Sequence, residues 1–261
     1  MDSGIGGIPY CNEFQRRNPG EPLLYLADRE NFPYGEKSAD QVSRILLNLV
    51  ERAIKKIDPK IVVLACNTAT VCGLKTLREN FTSIPFVGTV PAIKPAVQAS
   101  ARKIIGVLGT ARTVSEPYIA ELANRCGPCA IHGIAAPELV EFVEKRFDAA
   151  PPAERAAAVS GYLERLRSLG ADALALGCTH FLFLADEFRK AAAPDIQVFD
   201  SIEGISRRIE TLLDEGGGRL RSGSSAPAEK LLLLTGTAPP ESAWQRRAEN
   251  TGFTLSAPGE L

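Results

Sequence analysis

The chain has 261 residues, enough for one large domain or two of about 100–150 residues each. Its 30 Lys and Arg nearly balance 31 Asp and Glu, and a net charge of −1 supplies no electrostatic footprint for nucleic acid or an anionic membrane. No apolar stretch approaches the roughly 18 residues of a membrane span, Met1-Asp2-Ser3-Gly4 has no leader character, and six cysteines without export read as reduced thiols, so the expected location is the cytoplasm.

Asp2-Ser3-Gly4-Ile5-Gly6-Gly7 opens the chain as a glycine-rich turn, which serves either a plain tight turn or an anion held on backbone N–H groups. The full dinucleotide spacing is absent. Asn12–Arg17 belongs to the helix that follows. Leu23–Ala27 reads as a strand and Asp28–Gly35 as a polar loop. A helix from about Ser38 to Lys56 places Val42, Ile45, Leu46, Leu49, Ala53 and Ile54 on one face.

Ile61-Val-Val-Leu-Ala65 is short, β-branched and uncharged, the pattern of a strand buried on both faces. It stops at Cys66, and Asn67 or Thr68 can then cap a helix through Leu74 and Leu77. A thiol at the carboxyl end of a parallel strand stands where open α/β sheets do their chemistry. The following helix N-terminus favours its thiolate.

Phe86–Val90 is the next strand and Ile93–Ser100 a helix. Lys103–Leu108 is a strand ending at Gly109-Thr110, with a helix from Thr113 through Ala123. Cys126-Gly-Pro-Cys129 spells a redox or zinc motif. It follows a helix and precedes the strand Ala130–Ala135, the reverse of the redox arrangement, and His132 adds a third ligand without a fourth. It reads as a helix stop.

Helices are expected over Pro137–Glu144, Glu154–Leu169 and Ala185–Lys190. Between the last two, Ala173–Gly177 is an apolar strand ending at Cys178-Thr179-His180, which repeats the Cys66 design. Thr110 stands about as far ahead of Cys178 as Asp2 stands ahead of Cys66, consistent with an internal duplication. Asp195–Phe199 is a strand and Ile205–Leu213 a helix. Residues 216–228 form a Gly- and Ser-rich loop expected to be mobile. Leu231–Thr235, Pro240–Asn250 and Phe253–Leu255 complete the series as strand, helix and strand. The alternation predicts an α/β fold with parallel sheets flanked by helices.

Together these blocks resemble the glutamate racemases of the cofactor-independent aspartate/glutamate racemase superfamily. The likeness runs through Asp-Ser-Gly-Ile-Gly-Gly from Asp2, Pro33-Tyr34-Gly35, Cys66-Asn67-Thr68-Ala69-Thr70, Val90-Pro91-Ala92, Gly109-Thr110, Gly177-Cys178-Thr179-His180 and Asp200-Ser201. It covers residues 2–201 with a compatible tail. The two cysteine blocks favour glutamate over aspartate.

The resemblance implies two similar lobes, residues 1–90 with 201–261 and residues 91–200, facing each other across an active-site cleft. It implies that Cys66 and Cys178 approach the substrate α-carbon from opposite faces, Cys66 deprotonating D-glutamate and Cys178 L-glutamate. Asp2 is similar to the carboxylate beside the first thiol, and His180 and Glu144 to the assistants of the second. Ser3, Pro33, Tyr34, Gly35, Asn67, Thr68, Thr110 and Thr179 match substrate-binding positions. No cofactor, metal, nucleic acid or membrane is implied. The partner is glutamate, destined as its D-form for peptidoglycan, and the resemblance is compatible with a homodimer.

The chemistry needs two groups of this kind. Racemisation removes a proton from one face of Cα and returns another to the opposite face, which a thiolate and a thiol perform without turning the planar intermediate over. A thiol near pKa 8.5 needs modest help to ionise, which both helix N-termini and His180 can give. Relatives carry a complete strand ahead of the Asp-Ser-Gly turn, where Met1 alone precedes Asp2 in this chain. A missing strand would expose neighbouring backbone groups and loosen Asp2. The alternatives are therefore a racemase of another small acidic amino acid, or a catalytically impaired ligand-binding homologue.

Overall fold

The computed structural model describes residues 1–115, 117–218 and 228–256. The chain divides into two compact units, Met1–Thr89 with Ile202–Leu261, and Val90–Ser201. Every strand pairing among the described residues is parallel.

The first unit begins with α1 (Ile8–Arg17), β1 (Leu23–Ala27), α2 (Ala39–Ile57), β2 (Val62–Leu64), α3 (Asn67–Asn80) and β3 (Phe86–Gly88). Ser38 starts α2 with a reciprocal capping box: its side chain accepts from Gln41 N–H, and the Gln41 side chain accepts from Ser38 N–H. Val42, Leu46, Leu49 and Val50 form the buried stripe of that helix, while Ile45, Ala53 and Ile54 stay half-buried.

The second unit holds α4 (Ile93–Ala99), β4 (Ile104–Gly109), α5 (Ala111–Ser115), α6 (Pro117–Asn124), β5 (Ala130–Ala135), α7 (Pro137–Lys145), α8 (Pro152–Ser168), β6 (Ala173–Gly177), α9 (Ala185–Ala192) and β7 (Gln197–Phe199). Its sheet has the order β5-β4-β6-β7. β6 is buried along its whole length, as its uninterrupted apolar run requires between two parallel neighbours. Gly106 lets α8 close on the sheet, since a Cβ there would lie 2.3 Å from a Leu166 methyl. The expected helix from Thr113 to Ala123 falls on α5 and α6, with residue 116 between them outside the described residues.

The chain then returns to the first unit through α10 (Ile202–Glu215), β8 (Lys230–Leu234), α11 (Ser242–Thr251) and β9 (Thr254–Leu255). The mobile-loop reading of 216–228 falls mostly outside the described residues.

Strands of the first unit lie in two sheets, β1-β8-β9 and β2-β3. Among the described residues, only Met1 and Asp2 span the gap. Asp2 N–H donates to Leu26 O and Asp28 N–H to Asp2 O, while Ala65 N–H donates to Met1 O and the Met1 amine to Val63 O. Beyond Met1 the gap continues as a cavity of about 430 Å³ lined by Tyr10, Phe14, Leu24, Leu49, Val63 and Ile209 among others. This corrects the reading of Ile61–Ala65 as buried on both faces. Ile61, Val62 and Val63 are only half-buried, because one edge of β2 faces that cavity. Asp2 itself is 1 % exposed and held to the β1 side through both its N–H and its carbonyl, not loosened.

Candidate active site

In the first unit, Cys66 follows β2 and is buried. The expectation that Asn67 or Thr68 caps the next helix is not met: α3 begins at Asn67, and Cys66 itself holds the N-cap position without a side-chain capping bond. Only Ala65 and Cys66 separate the strand from the helix, so the thiol stands at the positive end of a 14-residue helix. Thr70 ties the turn down by donating through both N–H and Oγ1 to Cys66 O, each at 2.9 Å. Asn67 and Thr68 are buried in the first turn, and Asn67 Oδ1 has no hydrogen-bond partner among the described residues.

Asp2 is buried beside the start of the glycine-rich turn. Its Oδ1 accepts from Ser3 N–H at 2.6 Å. The turn packs close to β1: Tyr25 OH donates to Gly4 O at 2.6 Å and accepts from Gly7 N–H at 3.1 Å. A Cβ on Gly7 would lie 2.7 Å from the Tyr25 ring and 2.8 Å from Ala65 Cβ. Close packing thus accounts for Gly7, the plainer of the two readings of this turn.

Pro33, Tyr34 and Gly35 lie on the loop after β1, with Tyr34–Glu36 as a single 3₁₀ turn. Tyr34 is buried in the same hydrophobic cluster as Cys66 and Ala69. Its hydroxyl donates to Asp28 Oδ2 at 2.6 Å. Burial, then the negative charge of Asp28, push the Tyr34 pKa far above its usual value, with Cys66 and Asp2 adding to the effect at longer range. Asp2, Cys66 and Tyr34 therefore share one electrostatic neighbourhood.

In the second unit, Cys178 follows β6 and is buried. The element after it is a six-residue 3₁₀ turn, Thr179–Leu184, and α9 starts only at Ala185. The short turn offers this thiol less of a helix dipole than α3 offers Cys66, so the expected second helix N-terminus is corrected. What stands beside Cys178 is His180, with Nδ1 at 3.8 Å from Sγ. His180 Nε2 is 2.7 Å from Glu144 Oε1, brought in by the last turn of α7. A carboxylate can only accept, so Nε2 carries the proton and Nδ1 is left to serve the sulfur. Burial opposes charge on His180, but the bonds to Cys178 and Glu144 outweigh it and hold the imidazole pKa well above 6.5.

Thr110 and Thr179 also lie in this unit, Thr179 buried next to Cys178. Thr110 Oγ1 lies 3.0 Å from Thr113 Oγ1 and accepts from Thr113 N–H at 3.2 Å, which fixes the start of α5. Cys126 and Cys129 bracket the turn between α6 and β5, with Gly127 at φ +94°. Both are free thiols, and no cluster able to hold a metal is found among the described residues.

Sequence reasoning passed over Asp28 and Thr235. Asp28 is fully buried and accepts from Tyr34, from Thr235 Oγ1 at 2.7 Å and from Asn31 Nδ2 at 3.0 and 3.1 Å. Its place just after a strand was the available signal.

Two parallel α/β units, each presenting a buried thiol at the carboxyl end of a strand, mark this protein as an enzyme of the strand-end thiol class. The model of the Asp/Glu/Hydantoin racemase family matches residues 12–205, and the chain belongs to that family. It is 38% identical over 219 residues to a protein named glutamate racemase from Roseiflexus sp. (strain RS-1), covering 83% of this chain and 79% of that one. A protein of the same name from Sphingopyxis alaskensis is 37% identical, with 82% and 81% covered. The fold is similar to the crystal structure of Escherichia coli glutamate racemase in complex with L-glutamate and activator UDP-MurNAc-ala. That likeness has TM-score 0.86 and 30% identity, over 98% of this chain and 95% of that one.

Proposed function

We propose that this protein is a cofactor-independent glutamate racemase interconverting L- and D-glutamate, in the cytoplasm, supplying D-glutamate for peptidoglycan. The relatives' names support the substrate. The observation that carries the mechanism is the chain Glu144–His180–Cys178, in which His180 and Cys178 are buried and Glu144 is half-buried. A thiol needs no such support to fill space, whereas a base does. The individual roles follow from the likeness to the family's motifs, and the position of each residue in its own unit is compatible with its role.

In the L-to-D direction Cys178 acts as thiolate, kept by the imidazolium of His180, and takes the α-proton from one face of the substrate. Glu144 holds His180 in that protonated, oriented state. Cys66, as thiol, delivers a proton to the other face, and the roles exchange in reverse. The α3 N-terminus favours the Cys66 thiolate when it must act as base, and Asp2 is the carboxylate beside it. The buried Asn67 Oδ1 and the groups of Ser3, Pro33, Tyr34, Gly35, Thr68, Thr110 and Thr179 are the proposed substrate contacts, with the two regions 1–90 plus 201–261 and 91–200 each contributing one thiol. The hydroxyl and N–H donors among them stabilise the charge that develops as Cα–H breaks, while Asn67 Oδ1 is an acceptor suited to the substrate ammonium group. A homodimer is the assembly to look for in solution.

The test is the optical rotation of L-glutamate in cofactor-free buffer with purified protein, beside L-aspartate and other small acidic amino acids. Decay to the racemate for glutamate, fastest in the panel, is expected. Retained rotation for glutamate with decay for another acid would reassign the substrate, and no decay for any would leave an impaired homologue.

A further inference from the structure

Asp28 belongs to no motif used above, yet its carboxylate accepts four hydrogen bonds from three side chains. It lies just past β1 with no exposed surface. Its Oδ2 accepts from Tyr34 OH at 2.6 Å and its Oδ1 from Thr235 Oγ1 at 2.7 Å, while Asn31 Nδ2 donates to both oxygens. Its backbone N–H donates to Asp2 O at 2.8 Å. One residue thus joins the Asp2–Ser3 turn, the Tyr34 loop and the chain just after β8. Thr235 is itself held, since its Oγ1 accepts from Glu30 N–H at 3.1 Å and its carbonyl from Arg29 Nε at 3.1 Å.

Burying a carboxylate is costly unless its lone pairs are met by donors. In Asp28 they are met by groups from separated segments, so the carboxylate sets where those segments sit. The Asp2 turn and the Tyr34 loop both carry residues of the Cys66 neighbourhood. The role requires an acceptor at both oxygens, which a neutral amide of the same size does not offer.

We propose that Asp28 is a positioning residue for the Cys66 half of the racemisation, holding Tyr34 through its carboxylate and Asp2 through its backbone N–H. It touches neither the thiol nor the substrate. The proposal rests on the two-thiol reading, and it makes the two half-reactions respond differently to one substitution. Glutamate analogues with a β leaving group separate them, because loss of the α-proton expels the leaving group without any reprotonation. Elimination from the D-analogue reports the Cys66 base and elimination from the L-analogue the Cys178 base.

The experiment measures both eliminations in the full chain for Asp28→Asn, Thr235→Val and Thr235→Ser. Asp28→Asn is expected to slow the D-analogue by about 10²-fold, the effect of misplacing a reacting group by about 1 Å, with the L-analogue within about twofold. Thr235→Val should show a smaller loss with the same selectivity, and Thr235→Ser, which keeps the hydroxyl, should restore it. Equal losses for both analogues, or none, would overturn the proposal. If Asp28→Asn does not fold, the Thr235 pair decides: a loss in Thr235→Val without face selectivity, or without rescue by Ser, overturns it. Should the parent chain fail to eliminate from the D-analogue, or do so after Cys66→Ser, the two-thiol reading fails instead.

Discussion

His180 Nε2 lies 2.7 Å from Glu144 Oε1, across 36 positions of sequence, between a buried imidazole and a half-buried carboxylate. The contact turns the other ring nitrogen to the Cys178 sulfur. It links Glu144 through the ring to the Cys178 thiol.

Replacing Glu144 by Gln keeps the size of the side chain and removes its charge. The imidazolium then loses the carboxylate that favours it, and under the proposed mechanism the support for the Cys178 base goes with it. We expect Glu144→Gln to lower elimination from an L-glutamate analogue by about 10²-fold, within the range for a positioned acid–base group, and to leave the D-analogue nearly unchanged. Stopped-assay kinetics on the two analogues check this. Parallel loss on both would show that Glu144 serves the fold rather than one thiol.

The raised pKa of His180 also makes a prediction for stability. The folded protein binds this proton more tightly than the unfolded chain, whose imidazole titrates near the ordinary 6.5. The contribution is therefore fully present below that value and fades as pH rises through the higher folded-state pKa. Glu144 and Cys178 both face the ring. Urea unfolding of the parent and His180→Asn from pH 5.5 upward should show a stability difference that shrinks with pH. A difference that grows with pH would contradict the assignment.

The gap beside Met1 predicts a gain of stability by added structure. Parallel pairing alternates sides, and Met1 and Asp2 already bond alternately to β2 and β1. Fusing a five-residue apolar extension ahead of Met1 would continue that register between the two edges, where the lining is mainly apolar with Glu21, Asp58, Lys60 and Glu229 also on it. We expect a higher urea midpoint and slower amide exchange at Leu24 and Val63. An extension of the same length with proline at alternate positions should lose most of the gain, since each hydrogen bond is worth net about 1 kcal/mol. Equal midpoints for the two extensions would mean that no strand forms.

How far the sequence carried the fold depended on whether the determinants were local. Ala173–Gly177 announces a central strand because it is buried on all sides, and the element is where the pattern puts it. Ile61–Ala65 has the same pattern but lies beside the cavity, so composition alone could not tell its edge from a filled one. Ser38 and Gln41 cap α2 through a three-residue spacing legible in any sequence. Glu144 could be connected to His180 only by resemblance, because no spacing rule links the end of one helix to a turn after a strand. Asp28 offered only its place just after a strand: its partner Thr235 lies 207 positions away, and without that contact it reads as one more polar loop residue. The 3₁₀ turn after Cys178 was missed because Thr-His-Phe-Leu-Phe-Leu carries the same apolar content as a helix.

Proton exchange at Cα, with each thiol removed in turn, bears most directly on the two-thiol mechanism. Glutamate of either hand is incubated in D₂O with the parent chain, Cys66→Ser, Cys178→Ser and, as controls, Cys126→Ser and Cys129→Ser. The product of opposite hand is then followed by chiral separation and its deuterium by mass spectrometry. We predict D-glutamate formed from L-glutamate with solvent deuterium at Cα. Cys66→Ser and Cys178→Ser should each lower the rate by about 10³-fold, as expected for a positioned acid–base group, while the two control substitutions leave it nearly unchanged. Product without deuterium, or undiminished turnover in either Cys66→Ser or Cys178→Ser, would contradict the two-thiol mechanism.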